Sequence, residues 1–202
     1  MHLTSSLRFM NNLVRPKLEL TLAILKPDLC RNPDHVKAVK QIILNNGFYF
    51  IRSKSEHLSP FEAKQFYDEH KEKFFFTRLV SFMSSGPISV HIIAKENAIR
   101  QWRKLMGPTK VYIAQHEEPE SIRGKFGLTD TRNATHGSDS PRSAAREVGF
   151  FFPNFSVEEW IKHEEPIFRH SQQIHFDQGE WVHKIGPPPL DNGTVFHQEI
   201  FC

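Results

Sequence analysis

The sequence predicts an α+β fold, a ferredoxin-like four-stranded antiparallel sheet with packed helices, and two observations predict it. Segments with the two-residue period of strands alternate with segments of helical period in the order strand, helix, strand, helices, strand, helix, strand, helix. Pro and Gly punctuate most of the junctions. Two split βαβ halves in that order make such a sheet.

Leu18, Leu20, Leu22 and Ile24 alternate with Glu19, Thr21, Ala23 and Leu25, so the first strand has one strongly buried face; Lys26 ends it and Pro27 stops it. Asn32-Pro33 reads as a helix cap and first residue, Val36, Val39, Ile42 and Ile43 as the apolar stripe, and Gly47 as the stop. A second strand runs from about Phe48 to Glu56. Ser59-Pro60-Phe61-Glu62 has capping-box spacing and opens a helix that carries Tyr67. Phe75 to Ser84 reads as a short helix ended at Gly86-Pro87. Ile88, Val90, Ile92 and Ala94 alternate as the third strand, with His91 a packed strand residue.

Ala98, Ile99, Trp102, Leu105 and Met106 then form an amphipathic helix ended by Gly107-Pro108. Thr109 to Arg132 shows no sustained period and is expected to be a long functional loop with one helical turn. A short strand delivers His136. Ser140 caps the next helix, Pro141 is its first residue, and Pro153 stops it. Beyond Asn154 come a short helical stretch through Trp160 and a tail with Pro187-Pro188-Pro189, either an arm on the surface or a partner-binding segment. The organisation is a basic segment over 1–17, a domain over 18–155 and a C-terminal extension over 156–202.

With 39% hydrophobic and 24% charged residues among 202, the chain is one globular domain with extensions, and its composition excludes a disordered polymer. No apolar run approaches the roughly 20 residues of a membrane span, so a soluble protein is expected. Two cysteines, Cys30 and Cys202, are too few for a disulfide framework and point to a reducing compartment. The glycosylation-like triplets at Asn133, Asn154 and Asn192 read as chance, because nothing at the N-terminus resembles a secretory signal. Met1 to Lys17 contains Arg8, Arg15 and Lys17 and no acid, with Leu3, Leu7, Met10 and Val14 at helical spacing. That suits a mitochondrial import segment, the alternative being a frayed basic terminus.

A net charge of +3 is too small to imply nucleic-acid binding. The basic residues Arg100, Arg103, Lys104, Lys110, Arg123, Lys125, Arg132, Arg142 and Arg146 outnumber the acids between them, which suits a polyanionic small molecule or a solvated basic face. His170, His175, His183 and His197 have the spacing of no compact metal-ligand pair.

The most informative stretch is Arg132-Asn133-Ala134-Thr135-His136-Gly137-Ser138-Asp139-Ser140, one imidazole among small residues just before a helix start. Free N–H groups and the positive helix end beside His136 favour a phosphate. A neutral imidazole there can act as a nucleophile near pH 7.

Taken in order, Leu22-Ala23-Ile24-Leu25-Lys26-Pro27-Asp28, Arg103, Met106-Gly107-Pro108-Thr109, Ser121-Ile122-Arg123-Gly124 and the His136 segment resemble nucleoside diphosphate kinases over roughly Leu18 to Phe155. Phe74-Phe75-Phe76, Ser85-Gly86-Pro87, Gly127 to Asn133 and the extended C-terminus look most like the type 6 branch. The resemblance implies that the γ-phosphate of ATP or another nucleoside triphosphate passes to nucleoside diphosphates by a ping-pong route through a phosphohistidine on His136. It implies that Glu147 orients the imidazole and Ser138 supports that carboxylate. Thr109, Arg103 and Arg123 would hold phosphates, Lys26 and Asn133 would reach the sugar hydroxyls, Lys26 and Tyr67 would face the transferring group, and Phe75 would stack on the base. Mg²⁺ would arrive with the triphosphate, and the type 6 likeness favours the mitochondrial matrix over the cytoplasm.

Three departures stand out. Asp130 occupies a usually apolar position beside the base, Thr131 replaces a usual glycine, and the segment from Thr109 to Arg123 is longer than in hexameric members, which puts a hexamer in doubt. The competing reading is a weakly active protein of the same fold that acts mainly through a protein partner, by way of residues 109–123 or the C-terminal extension.

Overall fold

The computed structural model describes residues 15–171 and 173–188. In chain order they form β1 (Glu19–Leu25), α1 (Pro27–Cys30), α2 (Pro33–Asn45), β2 (Tyr49–Glu56), α3 (Pro60–Phe66), a 3₁₀ turn at Asp68–His70, α4 (Phe76–Met83), β3 (Ile88–Lys95) and α5 (Ala98–Met106). Then follow α6 (Val111–Glu117), α7 (Ile122–Phe126), β4 (Thr135–Gly137), α8 (Pro141–Phe151) and α9 (Val157–Glu159). A π-helical turn at Trp160–Glu164 leads into α10 (Glu165–His170), and a hairpin of β5 (Ile174–Asp177) and β6 (Val182–Ile185) ends the described chain.

The main sheet has the order β2-β3-β1-β4 with every pair antiparallel, the ferredoxin-like arrangement that the element order predicts. Strand β1 is central and is buried on both faces rather than one. Leu20, Leu22 and Ile24 enter a core with Phe66 of α3, Leu79 of α4, Val148 of α8 and Phe168 of α10. Ala23 and Leu25 enter the other, with Val39 and Ile43 of α2 and Trp102 and Met106 of α5. Each such buried side chain contributes about 1.5–3 kcal/mol. Because β1 lies in the middle of this sandwich, its ends are the most rigid places from which to present a side chain.

The helix starts follow the sequence signals. Asn32 accepts the Asp34 N–H at 3.0 Å, and Ser59 with Glu62 closes a capping box before Pro60. Several expectations need correction. Pro27 opens α1 as well as ending β1, a first-turn role that its missing N–H permits. Tyr67 caps the end of α3 and is not in its body.

The stretch from Thr109 to Arg132 is not a loop with a single turn, since it holds both α6 and α7. At seven and five residues these helices are too short to display a helical period. Tertiary contacts hold them instead: Val111, Ala114 and Ile122 are buried and Asp130 Oδ1 accepts the Val111 N–H at 3.0 Å, while Ser121 caps α7 locally by accepting the Gly124 N–H at 3.1 Å.

Beyond Trp160 the chain continues as helix to His170 and then as a hairpin, where the sequence showed only a tail. Strands of four residues are too short for periodicity to reveal. The hairpin packs beside the edge strand β2, with Phe50 N–H donating to His183 Nδ1 at 2.9 Å and Ser53 donating to the Trp181 carbonyl at 2.8 Å. Burial pushes His183 down to about 4, which keeps that nitrogen an acceptor at neutral pH. His175 meets the Gly186 carbonyl at 2.9 Å, so both histidines have structural partners. His91 is buried between Ser89 and Ser53, as expected of a packed strand residue. Residues 1–14 of the suggested import segment over 1–17, and residues 189–202 with His197, Asn192 and Cys202, lie outside the described residues. No helix among the described residues is long and apolar enough to cross a membrane.

Candidate active site

Antiparallel pairing of β4 with β1 sets Ile24 opposite His136 and Leu25 opposite Thr135. The ladder continues past the strand end, with the Lys26 N–H donating to the Ala134 carbonyl at 2.9 Å. Lys26 and His136 therefore emerge at one end of the sheet. Ala134 has φ of 66°, a left-handed conformation costly for a residue with a Cβ. Asp28 holds it there by accepting its N–H at 3.0 Å.

The His136 carbonyl accepts from Trp102 Nε1 at 3.2 Å. Gly137 lies so close to the Trp102 ring and Met106 that a Cβ could not fit. The imidazole sits edge-on to Phe66 and Tyr67, with centroids at 5.3 and 5.9 Å. Its Nε2 is 3.1 Å from Glu147 Oε2, a hydrogen-bond distance at which the N–H points off the straight line.

Glu147, on α8, is buried. Ser138 donates to its Oε2 at 2.7 Å, and Leu22 N–H of β1 donates to Ser138 Oγ at 3.2 Å. Arg146 lies 3.7 Å from Oε1. Burial pushes the Glu147 pKa up, yet the His136 ring, the Ser138 hydroxyl and Arg146 together hold it below the ordinary carboxylate value.

His136 and Glu147 open onto a cavity of about 510 Å³ that is also lined by Lys26, Tyr67, Phe75, Arg103, Thr109, Arg123 and Asn133. Of the ten side chains singled out in the sequence, nine line it, and Ser138 stands behind Glu147. Lys26 Nζ donates to Asn133 Oδ1 at 2.6 Å. Asn133 Nδ2 donates to the carbonyls of Thr109 and Asp130 at 3.2 and 2.9 Å. An asparagine so buried and engaged cannot carry a glycan in the folded protein.

Arg123 donates to the Gly107 carbonyl at 2.8 Å and the Thr135 carbonyl at 3.1 Å, while its Nε is buried without a partner. Burial, with Arg123 adding repulsion and Asp28 partly offsetting it, lowers Lys26 to about 7. Burial and then Arg103 lower Arg123 to about 10. Cations crowded in a half-closed cavity form a site that an anion stabilises. The Tyr67 hydroxyl is also buried without a partner; burial first, then Glu147 and Glu69, raises its pKa. It therefore stays a proton donor.

Two of the departures acquire a local meaning. Asp130 anchors the start of α6 through the Val111 amide. Thr131 is absent from the positive-φ positions, so losing a glycine there leaves no backbone strain. Sequence reasoning gave no positioning role at the site to Asp28, Phe66, Trp102 or Arg146, all of which position the reacting end. Asp28 follows Lys26-Pro27 in a quoted motif and had a signal. Trp102 reads as an apolar residue of its amphipathic helix, and both it and Phe66, which the sequence did not single out, are core residues.

A family model described as nucleoside diphosphate kinase matches residues 19–157. The chain is similar to Nucleoside diphosphate kinase 6 of Xenopus tropicalis, 49% identical over 172 residues, covering 85% of this chain and 95% of that protein. Among solved structures it resembles the Aquifex aeolicus nucleoside diphosphate kinase, with a TM-score of 0.65 and 38% identity over 70% of this chain and 98% of that one. It also resembles a halophilic nucleoside diphosphate kinase from Halobacterium salinarum in complex with CDP, with a TM-score of 0.62 and 30% identity over 71% and 97% of the two chains.

Proposed function

Because the chain belongs to the nucleoside diphosphate kinase family, we propose that it moves the γ-phosphoryl group of ATP or another nucleoside triphosphate to nucleoside diphosphates in two steps through His136. The observation that carries this reading is the His136–Glu147 pair. With Nε2 turned to a buried carboxylate at 3.1 Å, the proton stays on that nitrogen and the Nδ1 lone pair is left to attack.

In the first step Nδ1 forms a bond to the γ-phosphorus as the bond to the β,γ-bridging oxygen breaks, and the nucleoside diphosphate departs with that electron pair. In the second, an oxygen of the incoming diphosphate attacks phosphorus and the N–P bond breaks, which restores the imidazole. Lys26, Arg103 and Arg123 face the charge spread over the phosphoryl oxygens, and the Tyr67 hydroxyl donates to the transferring group. Thr109 and the two arginines hold the remaining phosphates. The sugar hydroxyls join the Lys26–Asn133 hydrogen bond.

Phe75 stacks on the base. Stacking reads no base edge, so purine and pyrimidine nucleotides are both accepted. The substrate is the Mg²⁺ complex of the triphosphate, with the ion carried on phosphate oxygens. The nearby carboxylates have other partners: Glu147 faces His136, Asp139 accepts from Ser143, and Asp130 accepts from Val111. The basic residues of 1–17 would direct the chain to the mitochondrial matrix, which import into isolated mitochondria tests.

Initial rates with ATP and a second diphosphate varied together test the mechanism. Parallel double-reciprocal lines support a phosphoenzyme, and intersecting lines contradict it.

A further inference from the structure

A second groove, of about 850 Å³, adjoins the nucleotide cavity and shares Arg78, Asp130 and Thr131 with it. Arg31, Arg78 and Arg132 surround it, all exposed, and none of the three guanidinium groups has a hydrogen bond or ion pair to a described residue. Asp130 is the one acid lining the groove among the described residues, and its Oδ1 is taken by the Val111 amide. Tyr112 and Leu128, 71% and 66% exposed, line the same groove. Tyr112 is preordered, because its ring lies 4.2 Å from that of His116, which in turn bonds the Tyr112 carbonyl at 2.8 Å.

Single exposed ion pairs contribute little. Three uncompensated guanidinium groups around an exposed aromatic and an exposed leucine are different, because Arg and Tyr anchor interface centres and Arg clusters recognise acidic motifs. We propose that this groove docks a segment of a protein partner in which carboxylates flank a Leu or aromatic side chain. The carboxylates pair with Arg31, Arg78 and Arg132, and the apolar side chain covers Tyr112 and Leu128. A protein is favoured over a nucleic acid because two largely exposed apolar side chains, Tyr112 and Leu128, line the groove with the arginines and the whole chain's charge is only +3. Because Arg78 and Thr131 also line the cavity of the proposed active site, docking and nucleotide binding change each other's affinity by one common factor, a coupling that rests on the proposed function.

The test uses the full chain and a fluorescein-labelled peptide, Glu-Asp-Glu-Leu-Phe-Glu-Asp-Glu, followed by fluorescence anisotropy without nucleotide. Saturable binding is expected. It should weaken at least tenfold in Arg31→Glu/Arg132→Glu and in Tyr112→Ser/Leu128→Ser, and when Ser-Ser replaces Leu-Phe in the peptide. Arg100→Glu, on exposed α5 surface away from the groove residues, should leave it unchanged. Absence of saturable binding overturns the proposal, as does equal loss in Arg100→Glu. Tighter, groove-dependent binding of decathymidine would assign the surface to nucleic acid, and groove-dependent self-association in sedimentation would assign it to a second copy; either overturns the proposal. Since no phosphotransfer is read, this outcome is independent of the catalytic reading.

Discussion

Ser138 Oγ donates to Glu147 Oε2 at 2.7 Å while accepting the Leu22 amide, so the central strand of the sheet fixes the carboxylate that faces His136. The imidazole thereby inherits the rigidity of β1. Glu147→Gln should slow phosphorylation of the enzyme on the order of 10²-fold, and Ser138→Ala by about tenfold, with the fold retained by circular dichroism. Rapid-quench labelling measures both. The pKa of Glu147 is lower in the folded chain than its ordinary value of 4.5. The stability it adds is therefore fully present above 4.5 and lost as pH falls through the folded value, a loss that Glu147→Gln should abolish.

Lys26 has the opposite sense of linkage. Its pKa falls from 10.5 to about 7 on folding, so between those values the folded chain binds fewer protons than the unfolded one. Stability should rise with pH across that window, by up to about 1.4 kcal/mol per unit. Urea melts from pH 7 to 9 should show the slope in the wild type and a flatter one in Lys26→Met. A polyanion beside Lys26 restores its charge, so calorimetry in buffers of differing ionisation enthalpy should detect proton uptake when ADP binds at pH 8.

Tyr67 separates stability from function. Its buried hydroxyl has no partner, so Tyr67→Phe removes an unsatisfied group and should leave the melting temperature unchanged or raised. Transfer should nevertheless fall about tenfold if the hydroxyl serves the transferring group. A variant as active as the wild type would assign Tyr67 to packing alone.

Gly137→Ala forces a methyl against the Trp102 ring and Met106. Overpacking of this kind costs about 1–3 kcal/mol, which thermal melting should show. Since Trp102 also holds the His136 carbonyl, labelling should fall together with stability.

The sheet was legible in the sequence because β1 and β3 alternate over seven and eight residues, long enough for a period to show. The caps at Asn32, Ser59 and Ser140 were legible because capping needs particular side chains at fixed offsets. Helices α6 and α7 and the β5–β6 hairpin were not, because contacts distant in sequence stabilise them. Ser53 with Trp181 and Asp130 with Val111 are two such contacts. In the site, the resemblance to nucleoside diphosphate kinases pointed to the nine cavity residues, while Asp28 and Trp102 gained their roles only when β4 was laid against β1 and α5.

The central claim is that His136 carries phosphate between nucleotides. Purified chain incubated with γ-labelled ATP and Mg²⁺, then analysed by acid stability and mass spectrometry, tests it most directly, with His136→Ala alongside. The account predicts acid-labile label on His136 alone, discharged by several unlabelled diphosphates. A folded protein that takes up no label, or whose label persists in His136→Ala, would contradict it.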